Sequence, residues 1–372
     1  MNRSALIIGG AGFIGSYLAD ELLGHGYRVR ALDNLCPQVH GLKRRVPDYL
    51  DPEVELVVGD VRDPAATRRA LRGVDAVFHL AAAVGVGQSM YEIEEYTSIN
   101  NLGTAVLMEA LIENPVERLV VASSMSIYGE GLYVGPDGSI RTAVERSLEQ
   151  LKSHRWELRD SGGTELSPIP TPETKAPCLP SIYALSKFDQ ERMCHLVGRA
   201  YGISTVALRF FNAYGPRQAL SNPYTGVLAI FGSRLLNERA PQIFEDGRQR
   251  RDFVSVHDVA RACRLALEVP EAAGLTFNIG SGRDVTVREV ARRMAEAMNR
   301  EHIAPEITGT YRMGDIRHCF ADITQARDVL GYQPQVALED GLTELAGWLE
   351  GQEAFDHVAE ASAELAVRGL RV

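Results

Sequence analysis

Short apolar runs alternate with amphipathic segments through the first half of the chain. The runs have the length and composition of buried strands, and the segments between them repeat apolar positions at helical spacing. This alternation predicts an α/β fold, a doubly wound parallel sheet of the Rossmann type with helices on both faces. The predicted strands are 5–8, 28–32, 54–58, 76–80, 119–123 and 205–210, and the predicted helices are 14–23, 64–71, 104–113 and 183–201.

The alternation loosens after residue 211, where Pro, Gly and Asn cluster as far as residue 226. The 372 residues are enough for two lobes. We predict a smaller α/β C-terminal lobe that binds the substrate. Beyond residue 226, helices are predicted over 228–237 and 256–267, and further elements over 287–299 and 338–350. The predicted domains are a cofactor-binding Rossmann domain over 1–208, rejoined by 252–272, a substrate-binding lobe over 209–251 and 273–350, and a C-terminal helical tail over 351–372.

Two segments have no assigned partner in this scheme. Residues 131–180 are polar and rich in Gly, Pro and Ser, with a predicted helix over 142–158. A connection of this length is a functional lid or a disordered insertion. The Ala- and Glu-rich tail packs on a neighbour or frays. The sequence leaves both alternatives open.

Three glycines follow the first predicted strand, Gly9, Gly12 and Gly15, and a predicted helix begins there. The first allows a tight turn, the second lets the backbone approach a pyrophosphate, and the third lets helix and strand pack closely. The anion would lie at the helix N-terminus, where free N–H groups and the helix dipole favour negative charge. The spacing alone also fits an ordinary turn, but the strand and helix around it favour a dinucleotide site.

Asp33 ends the next predicted strand. A carboxylate at this place accepts hydrogen bonds from adenosine ribose hydroxyls and repels a 2′-phosphate. The following residues, Asn34 and Leu35, bring no cation that would reverse this preference. We therefore predict NAD as the cofactor, the alternative being a surface aspartate in a turn.

Composition narrows the classes of protein that fit. The net charge of −10 argues against a general nucleic-acid binder. The five cysteines are scattered without a C-x-x-C pair, which favours free thiols and no metal site. No signal peptide is evident and no apolar run has the length of a membrane span. We expect a cytoplasmic protein that does not bind membranes.

Tyr183 and Lys187 lie four residues apart in a predicted helix, so they share one face. An ammonium beside a tyrosine, together with a positively charged nicotinamide, lowers the phenol pKa and makes the phenolate a usable base. Ser124 ends a predicted strand and is a candidate to bind the substrate hydroxyl, although serines there also cap strand ends. The Tyr–Lys spacing is common on helix surfaces and gains its meaning from the dinucleotide motif.

With these residues in place, the chain resembles the extended short-chain dehydrogenases/reductases of the nucleotide-sugar epimerase and dehydratase family. The resemblance covers nearly the whole chain apart from residues 131–180 and the tail. It implies a catalytic triad of Ser124, Tyr183 and Lys187. It implies cofactor contacts from Gly9, Gly12, Phe13, Ile14, Gly15, Asp33, Asn34, Asp60, Val61, Leu80, Ala81, Ala82, Asn100, Ser123, Tyr183, Lys187 and Phe210.

The same resemblance implies a nucleotide-sugar substrate. Its diphosphate would be held by Asn212 in the segment 209–216, by Arg251 in 247–253 and by Arg317 in 314–317. The planar fork of arginine suits phosphate oxygens, although each arginine could also be an ordinary surface charge. Ser124 and Ser126 would contact the sugar. The family also implies a homodimer built on helices 104–113 and 183–201.

The residues after Ser124 separate the reactions of this family. Its 4,6-dehydratases carry Asp-Glu there and its decarboxylases usually carry a glutamate nearby, whereas this chain has Met125 and Ser126. The resemblance therefore implies 4-epimerisation. Segments 123–130, 218–226 and 311–319 resemble the dTDP-L-rhamnose 4-epimerases of the family. The alternatives are a UDP-hexose or UDP-glucuronate 4-epimerase, an NDP-4-keto-sugar reductase, and an inactive NAD-binding regulator.

Overall fold

A computed structural model describes residues 3–142, 145–220, 222, 224, 226–352, 356 and 358–371. The strands are, in chain order, β1 (Ser4–Ile8), β2 (Arg28–Asp33), β3 (Glu55–Val58), β4 (Ala76–His79), β5 (Arg118–Ser124), β6 (Leu132–Val134), β7 (Ile140–Thr142), β8 (Ser167–Ile169), β9 (Ser204–Phe210), β10 (Asn212–Tyr214), β11 (Gln242–Ile243), β12 (Arg250–Arg251), β13 (Phe253–Ser255), β14 (Thr276–Ile279), β15 (Val285–Thr286), β16 (Glu306–Ile307) and β17 (His318–Cys319).

The α-helices are α1 (Phe13–Gly24), α2 (Pro37–His40), α3 (Pro64–Ala70), α4 (Val86–Ser89), α5 (Ile93–Tyr96), α6 (Gly103–Glu113), α7 (Leu148–Lys152), α8 (Ile182–Tyr201), α9 (Val227–Leu236), α10 (Val256–Glu268), α11 (Val287–Ala297), α12 (Thr324–Leu330), α13 (Leu338–Leu349) and α14 (Val358–Val367). A π-helix covers Thr97–Leu102, and 3₁₀-helices cover Met125–Tyr128 and Pro270–Ala272. None of the helices in the described ranges has both the length and the apolar character needed to cross a bilayer.

Within the described chain, seven parallel strands form the main sheet in the order β14-β9-β5-β4-β1-β2-β3. The predicted doubly wound α/β fold is therefore confirmed. Both faces of the sheet are covered by apolar clusters. The strand order reverses between β1 and β4, and ligands of such sheets bind at the carboxyl ends of the strands at that point. The glycine turn after β1 lies there.

One strand of this sheet was not predicted. β14 pairs with β9, with Thr276 opposite Ala207 and Ile279 opposite Phe210. The assignment of all of 273–350 to the substrate lobe is wrong at this strand, because the chain returns to complete the sheet edge and buries Phe277 fully. Helix α10 also returns and packs against α1, as expected for 252–272.

The second lobe has its own core, built by apolar faces of α9, α11 and α13. The segment 131–180, here called the insert, contains a small antiparallel sheet in the order β7-β6-β8. Tyr133, Leu158 and Leu166 form its apolar centre.

The predicted helix over 142–158 is mostly wrong. It is reduced to α7, which begins where Ser147 Oγ accepts the N–H of Gln150 at 3.1 Å. Parts of three predicted segments lie outside the described residues: 143 and 144 in the insert, Ser221, Pro223 and Thr225 in 218–226, and 353–355, 357 and 372 in the tail.

Candidate active site

The turn after β1 places glycines where side chains would collide with backbone. Gly9 has a φ of +86°, and a Cβ there would lie 2.9 Å from the backbone nitrogen of Ala81. A Cβ on Gly15 would collide with the carbonyl oxygen of Gly9. Helix α1 follows Gly12, which supplies no side-chain cap. The first-turn N–H groups are thus available to a diphosphate. The first residues of that turn are Phe13 and Ile14.

Asp33 ends β2 beside this turn. Its carboxylate accepts the N–H of Ala11 at 3.0 Å and the N–H of Leu35 at 2.9 Å. His40, which sequence reasoning did not single out, lies 3.7 Å from the same carboxylate. Burial lowers the pKa of His40, so its ring is neutral near pH 7 and offers no cation to a 2′-phosphate. These residues fit NAD.

Asp60 and Asn34 lie together at the ends of β3 and β2. Asn34 Nδ2 donates to Asp60 at 3.0 Å, and the Arg62 guanidinium pairs with the same carboxylate at 2.8 Å. Hydrogen bonds from Arg62 lower the pKa of Asp60 to about 2. The carboxylate therefore stays ionised and orders this edge of the cofactor cleft. Val61 is buried behind it.

The loop 80–82 lies against the glycine turn and is held by Asn100. Asn100 Oδ1 accepts the N–H of Ala83 at 2.8 Å, while Nδ2 donates to Ser186 Oγ at 2.9 Å and to the Ala83 carbonyl at 3.1 Å. The side chain is fully buried. Both polar atoms of its side chain are bonded within the protein, so Asn100 positions the loop, and its contact with the cofactor stays a prediction.

The Ser123 side chain is likewise bonded within the protein. Its Oγ donates to Glu191 at 2.6 Å, and Glu191 also pairs with Arg209 at 2.7 Å. This buried ion pair takes the hydroxyl away from the cofactor. Phe210 ends β9 directly opposite Ser124, at the carboxyl edge where the cofactor cleft opens.

The three predicted catalytic side chains come from the end of β5 and the start of α8. Ser181 caps α8 by accepting the N–H of Ala184 at 3.1 Å, which puts Tyr183 in its first turn. The N–H of Tyr183 donates to Ser89 Oγ at 3.0 Å. Ser124 Oγ is hydrogen-bonded to Ser126 Oγ, and its interaction with the Tyr183 phenol acts to lower the pKa of that phenol.

The expected lowering of the Tyr183 pKa by Lys187 is not seen in the structure. Burial raises the pKa of Tyr183 above its ordinary value, and the Ser124 hydrogen bond offsets this only in part. Lys187 Nζ instead donates to Gln190 Oε1 at 2.6 Å. Burial lowers the pKa of Lys187 to about 8, so the ammonium persists at neutral pH and is lost in mildly alkaline solution.

Gln190 connects Lys187 to a buried network that sequence reasoning missed. Its Nε2 donates to Thr104 Oγ1 at 2.9 Å and lies 3.1 Å from His79 Nε2. Burial, followed by the charge of Lys187, lowers the pKa of His79 to about 3, so that ring is neutral. The available signal was spacing: Gln190 lies three residues after Lys187, on the same helix face.

Asn212 and Arg251 lie on short strands of the second lobe. Asn212 Oδ1 is buried without a hydrogen-bond partner among the described residues. Arg251 Nη1 donates at 2.9 Å to the carbonyl of Arg317, and Nη2 donates to that of Ile316. No carboxylate in the described part of the chain pairs with Arg251, as expected for a group that binds a phosphate.

The charge of Arg317, in contrast, is compensated by carboxylates. Its side chain is fully buried, and its guanidinium pairs with Glu245 at 2.8 Å and with Asp246 and Glu157. Three carboxylates compensate its charge, so the prediction that Arg317 binds the diphosphate is wrong. Its role is to join the insert, through Glu157, to the second lobe. In the described chain, no His, Cys, Asp and Glu side chains form a group suited to a metal ion.

Arg312 is a better candidate and was missed. Its guanidinium lies 5.2 Å from the centre of the Phe244 ring and pairs with Asp315 at 2.8 Å. Arg312 lies in the same segment as Arg317, residues 311–319, so the motif offers two arginines and only the structure distinguishes them. An arginine on an aromatic ring beside one carboxylate is a suitable wall for a nucleotide.

Comparison with known proteins agrees with this site. The model of the NAD dependent epimerase/dehydratase family matches residues 5–149 and 163–280. A dTDP-L-rhamnose 4-epimerase of Burkholderia thailandensis is 36% identical over 353 residues, covering 93% of this chain and 95% of the relative.

Solved structures share the whole architecture. A UDP-glucose 4-epimerase of Thermotoga maritima, solved with UDP-glucose, is 31% identical and covers 94% of this chain and 99% of its own, with a TM-score of 0.75. A UDP-glucuronic acid 4-epimerase of Bacillus cereus, solved with UDP-glucuronic acid and NAD, is 26% identical and covers 94% and 99%, with a TM-score of 0.76.

The glycine turn follows β1, Asp33 ends β2 and Ser124 ends β5, all at the carboxyl edge of one parallel sheet, and the family match covers most of the chain. The predicted family and cofactor are thereby confirmed. The chain belongs to the NAD-dependent epimerase/dehydratase family, as an NAD-dependent enzyme of the nucleotide-sugar epimerase type.

Proposed function

We propose that the protein is an NDP-sugar 4-epimerase that interconverts dTDP-L-rhamnose and dTDP-6-deoxy-L-talose. The observation that carries the proposal is that Ser124, Tyr183 and Lys187 are present while neither residue after Ser124 is a carboxylate. Met125 and Ser126 occupy the positions after Ser124. Glu191 is held by Arg209 and Ser123. Water elimination requires an acid and a base that these residues do not supply.

The residues divide the proton chemistry among them. Tyr183 removes the proton of the sugar 4-hydroxyl, and Ser124 holds the oxygen during that transfer. Bound NAD accepts the hydride of sugar carbon 4 and returns it, and its cationic ring favours the phenolate. Lys187 keeps its ammonium below about pH 8, and its proposed role is to stabilise that phenolate when NAD and substrate are bound. Return of the hydride to the opposite face of the 4-keto sugar inverts carbon 4.

Inversion requires the sugar to turn while the nucleotide stays bound. Arg251 and Arg312 are the proposed diphosphate ligands, and Phe244 lies beside Arg312 where a nucleotide would rest. Asn212 Oδ1, buried and unpaired within the described chain, is the proposed polar contact nearby. Choice of thymine and rhamnose is supported by the Burkholderia thailandensis relative.

The insert is proposed to cover the sugar pocket. The N–H of Cys178 donates to the Ile127 carbonyl at 2.9 Å, and Lys175 donates to the Tyr128 carbonyl. Both acceptors lie in the 3₁₀-helix that follows Ser124. Closing the insert over this helix would exclude water from the 4-keto sugar.

A homodimer is the proposed assembly. Leu185 and Leu196 on α8 and Ile112 on α6 are exposed although they are large and apolar, and the two helices pack side by side. An apolar surface on two neighbouring helices suits a partner with the same surface, since twofold pairing is the commonest way to bury it.

Proton NMR of dTDP-L-rhamnose with the purified protein and no added cofactor tests the activity. We expect a mixture with dTDP-6-deoxy-L-talose. An unchanged spectrum, followed by conversion of UDP-glucose or UDP-glucuronate, would assign the reaction to another 4-epimerase substrate. Dependence on stoichiometric NAD(P)H would indicate a reductase instead.

A further inference from the structure

The C-terminal strap, residues 358–371, lies against the segment that carries Arg312, a residue of the proposed nucleotide-sugar site. At its end, the Leu370 carbonyl accepts the N–H of Met313 at 2.9 Å, and Arg371 forms an antiparallel bridge with Arg312. The strap thus runs along the segment that carries the proposed diphosphate ligand. The predicted tail neither frays nor needs a neighbour here, since it packs on its own chain.

The middle of the strap contacts the domain that carries the catalytic residues. Leu365 is 4% exposed, and its methyl group lies 3.4 Å from where a Cβ of Gly87 would be. Gly87 belongs to α4, whose Ser89 Oγ accepts the backbone N–H of Tyr183. The strap therefore contacts both lobes, between the helix that supports the catalytic tyrosine and the segment that holds Arg312.

Arg371 places a second guanidinium on the ring used by Arg312. It lies 5.6 Å from the centre of Phe244, against 5.2 Å for Arg312. It donates to Thr310 at 3.3 Å and to Ser362. Among the residues that the structure describes, no carboxylate pairs with Arg371.

Charge compensation distinguishes Arg371 from its neighbours. Asp315 compensates Arg312, and three carboxylates compensate Arg317. Among the described residues no carboxylate pairs with Arg251 or Arg371; Arg251 contacts the carbonyls of residues 316 and 317, and Arg371 lies opposite Arg312. A doubly charged diphosphate next to Phe244 would be attracted by both.

We propose that the strap is a wall of the nucleotide-sugar site and that Arg371 is a nucleotide-binding residue. This inference rests on the proposed function, because it assumes a nucleoside diphosphate beside Phe244. Arg371 would strengthen nucleotide binding from a segment that lies outside the family motifs. The strap also links ligand binding to contact between the two lobes, since one segment contacts α4 and Arg312 together.

Calorimetric titration of the purified holoenzyme with dTDP tests the inference, with UDP as a second probe. We expect Arg371→Gln to weaken binding of the preferred nucleotide by about tenfold or more, the loss of one hydrogen bond to a charged group. Arg371→Lys should restore part of it. KM for the nucleotide sugar should rise by the same factor, with kcat and bound NAD unchanged. Arg327→Gln, a surface charge removed at a distance, is the matched control.

Wild-type affinity in Arg371→Gln would overturn the role of Arg371. A chain ending at residue 357 tests the strap separately, and unchanged affinity there would overturn the wall. Should that chain fail to fold, Leu365→Ser in the full chain replaces it, with exposed Val367→Ser as its control. Failure of the wild-type protein to bind either nucleotide would overturn the proposed function, a result distinct from both others.

Discussion

Lys187 Nζ lies 2.6 Å from Oε1 of Gln190, one helical turn further along α8. The catalytic ammonium is therefore held by a neutral amide, and burial brings its pKa to about 8. A neutral partner orients the ammonium and leaves its charge available to the Tyr183 phenolate. We therefore expect the pKa of Lys187, as set by burial and by Gln190, to determine the pH above which activity is lost.

Replacing the amide by a carboxylate moves that limit. Activity needs the ammonium, which is present below about pH 8 and lost above it. Gln190→Glu adds a negative charge beside the ammonium and raises the pKa of Lys187, so we expect the alkaline limb of the kcat–pH profile to shift upward by about one unit. Exposed Gln352→Glu is the control. Coincident profiles for Gln190→Glu and wild type would show that Lys187 does not set the limit.

Removing the catalytic hydroxyl should abolish turnover without emptying the cofactor site. Tyr183→Phe keeps the ring, its edge-on contact with Tyr96 and the helix, but has no group to take the proton. We expect kcat to fall by at least about 10²-fold, with NAD content of the purified protein unchanged. Tyr201→Phe, at the exposed end of the same helix, should retain full activity. Substantial turnover in Tyr183→Phe would require another base.

Replacing Arg317 should mainly lower the stability of the fold, whereas replacing Arg251 should mainly weaken binding of the nucleotide sugar. Arg317→Met leaves Glu157, Glu245 and Asp246 without their shared cation, and breaking a buried ion pair costs about 3–5 kcal/mol. We expect a marked drop in Tm. Arg251→Met removes three hydrogen bonds to carbonyls, a smaller loss, and should raise KM for the nucleotide sugar. Denaturation and steady-state kinetics on both variants check this. A stable Arg317→Met protein with a raised KM would return Arg317 to the diphosphate.

Acid should release the insert from the second lobe. Burial raises the pKa of Glu157, but hydrogen bonds from His318 and Arg317 outweigh burial and bring this pKa down to about 2. A depressed carboxyl pKa stabilises the fold above the ordinary value near 4.5, and this contribution is lost as pH falls toward 2. We expect the Tm difference between wild type and Glu157→Gln to be largest above pH 5 and to shrink in acid. A constant difference would contradict the ion pair.

The exposed apolar face predicts the assembly. Leu185→Glu combined with Leu196→Glu should convert a dimer into a monomer of 40.8 kDa, measured by light scattering on a size-exclusion column. Charge placed in an apolar interface is strongly unfavourable. Leu42→Glu, at a residue 93% exposed, should leave the mass unchanged. A monomeric wild type would rule out the dimer.

The features predicted well from sequence depend on local patterns. The glycine turn, Asp33 and the Tyr183–Lys187 pair all lie within one strand–turn–helix unit or one helix, so spacing along the chain reports spacing in the molecule. The strand–helix alternation likewise predicts the sheet. These signals need no knowledge of distant partners.

The features that the sequence does not predict depend on residues that are distant along the chain. β14 is a four-residue edge strand whose partner, β9, lies about seventy residues earlier, too short for a periodic signal. The motif makes Arg317 a candidate phosphate ligand. It does not show that Glu157 from the insert and Glu245 from the second lobe pair with this arginine. Asn100 and Ser123 were matched by position, whereas their hydrogen-bond partners come from elsewhere in the fold.

Transient oxidation at carbon 4 with return of the same hydride is the central claim. It is tested most directly with dTDP-L-rhamnose carrying deuterium at carbon 4, incubated in ordinary water with the protein and no added cofactor. We predict that the dTDP-6-deoxy-L-talose formed keeps the deuterium at carbon 4, because the hydride is held within the active site throughout. Product with a solvent-derived hydrogen at carbon 4 would contradict this mechanism.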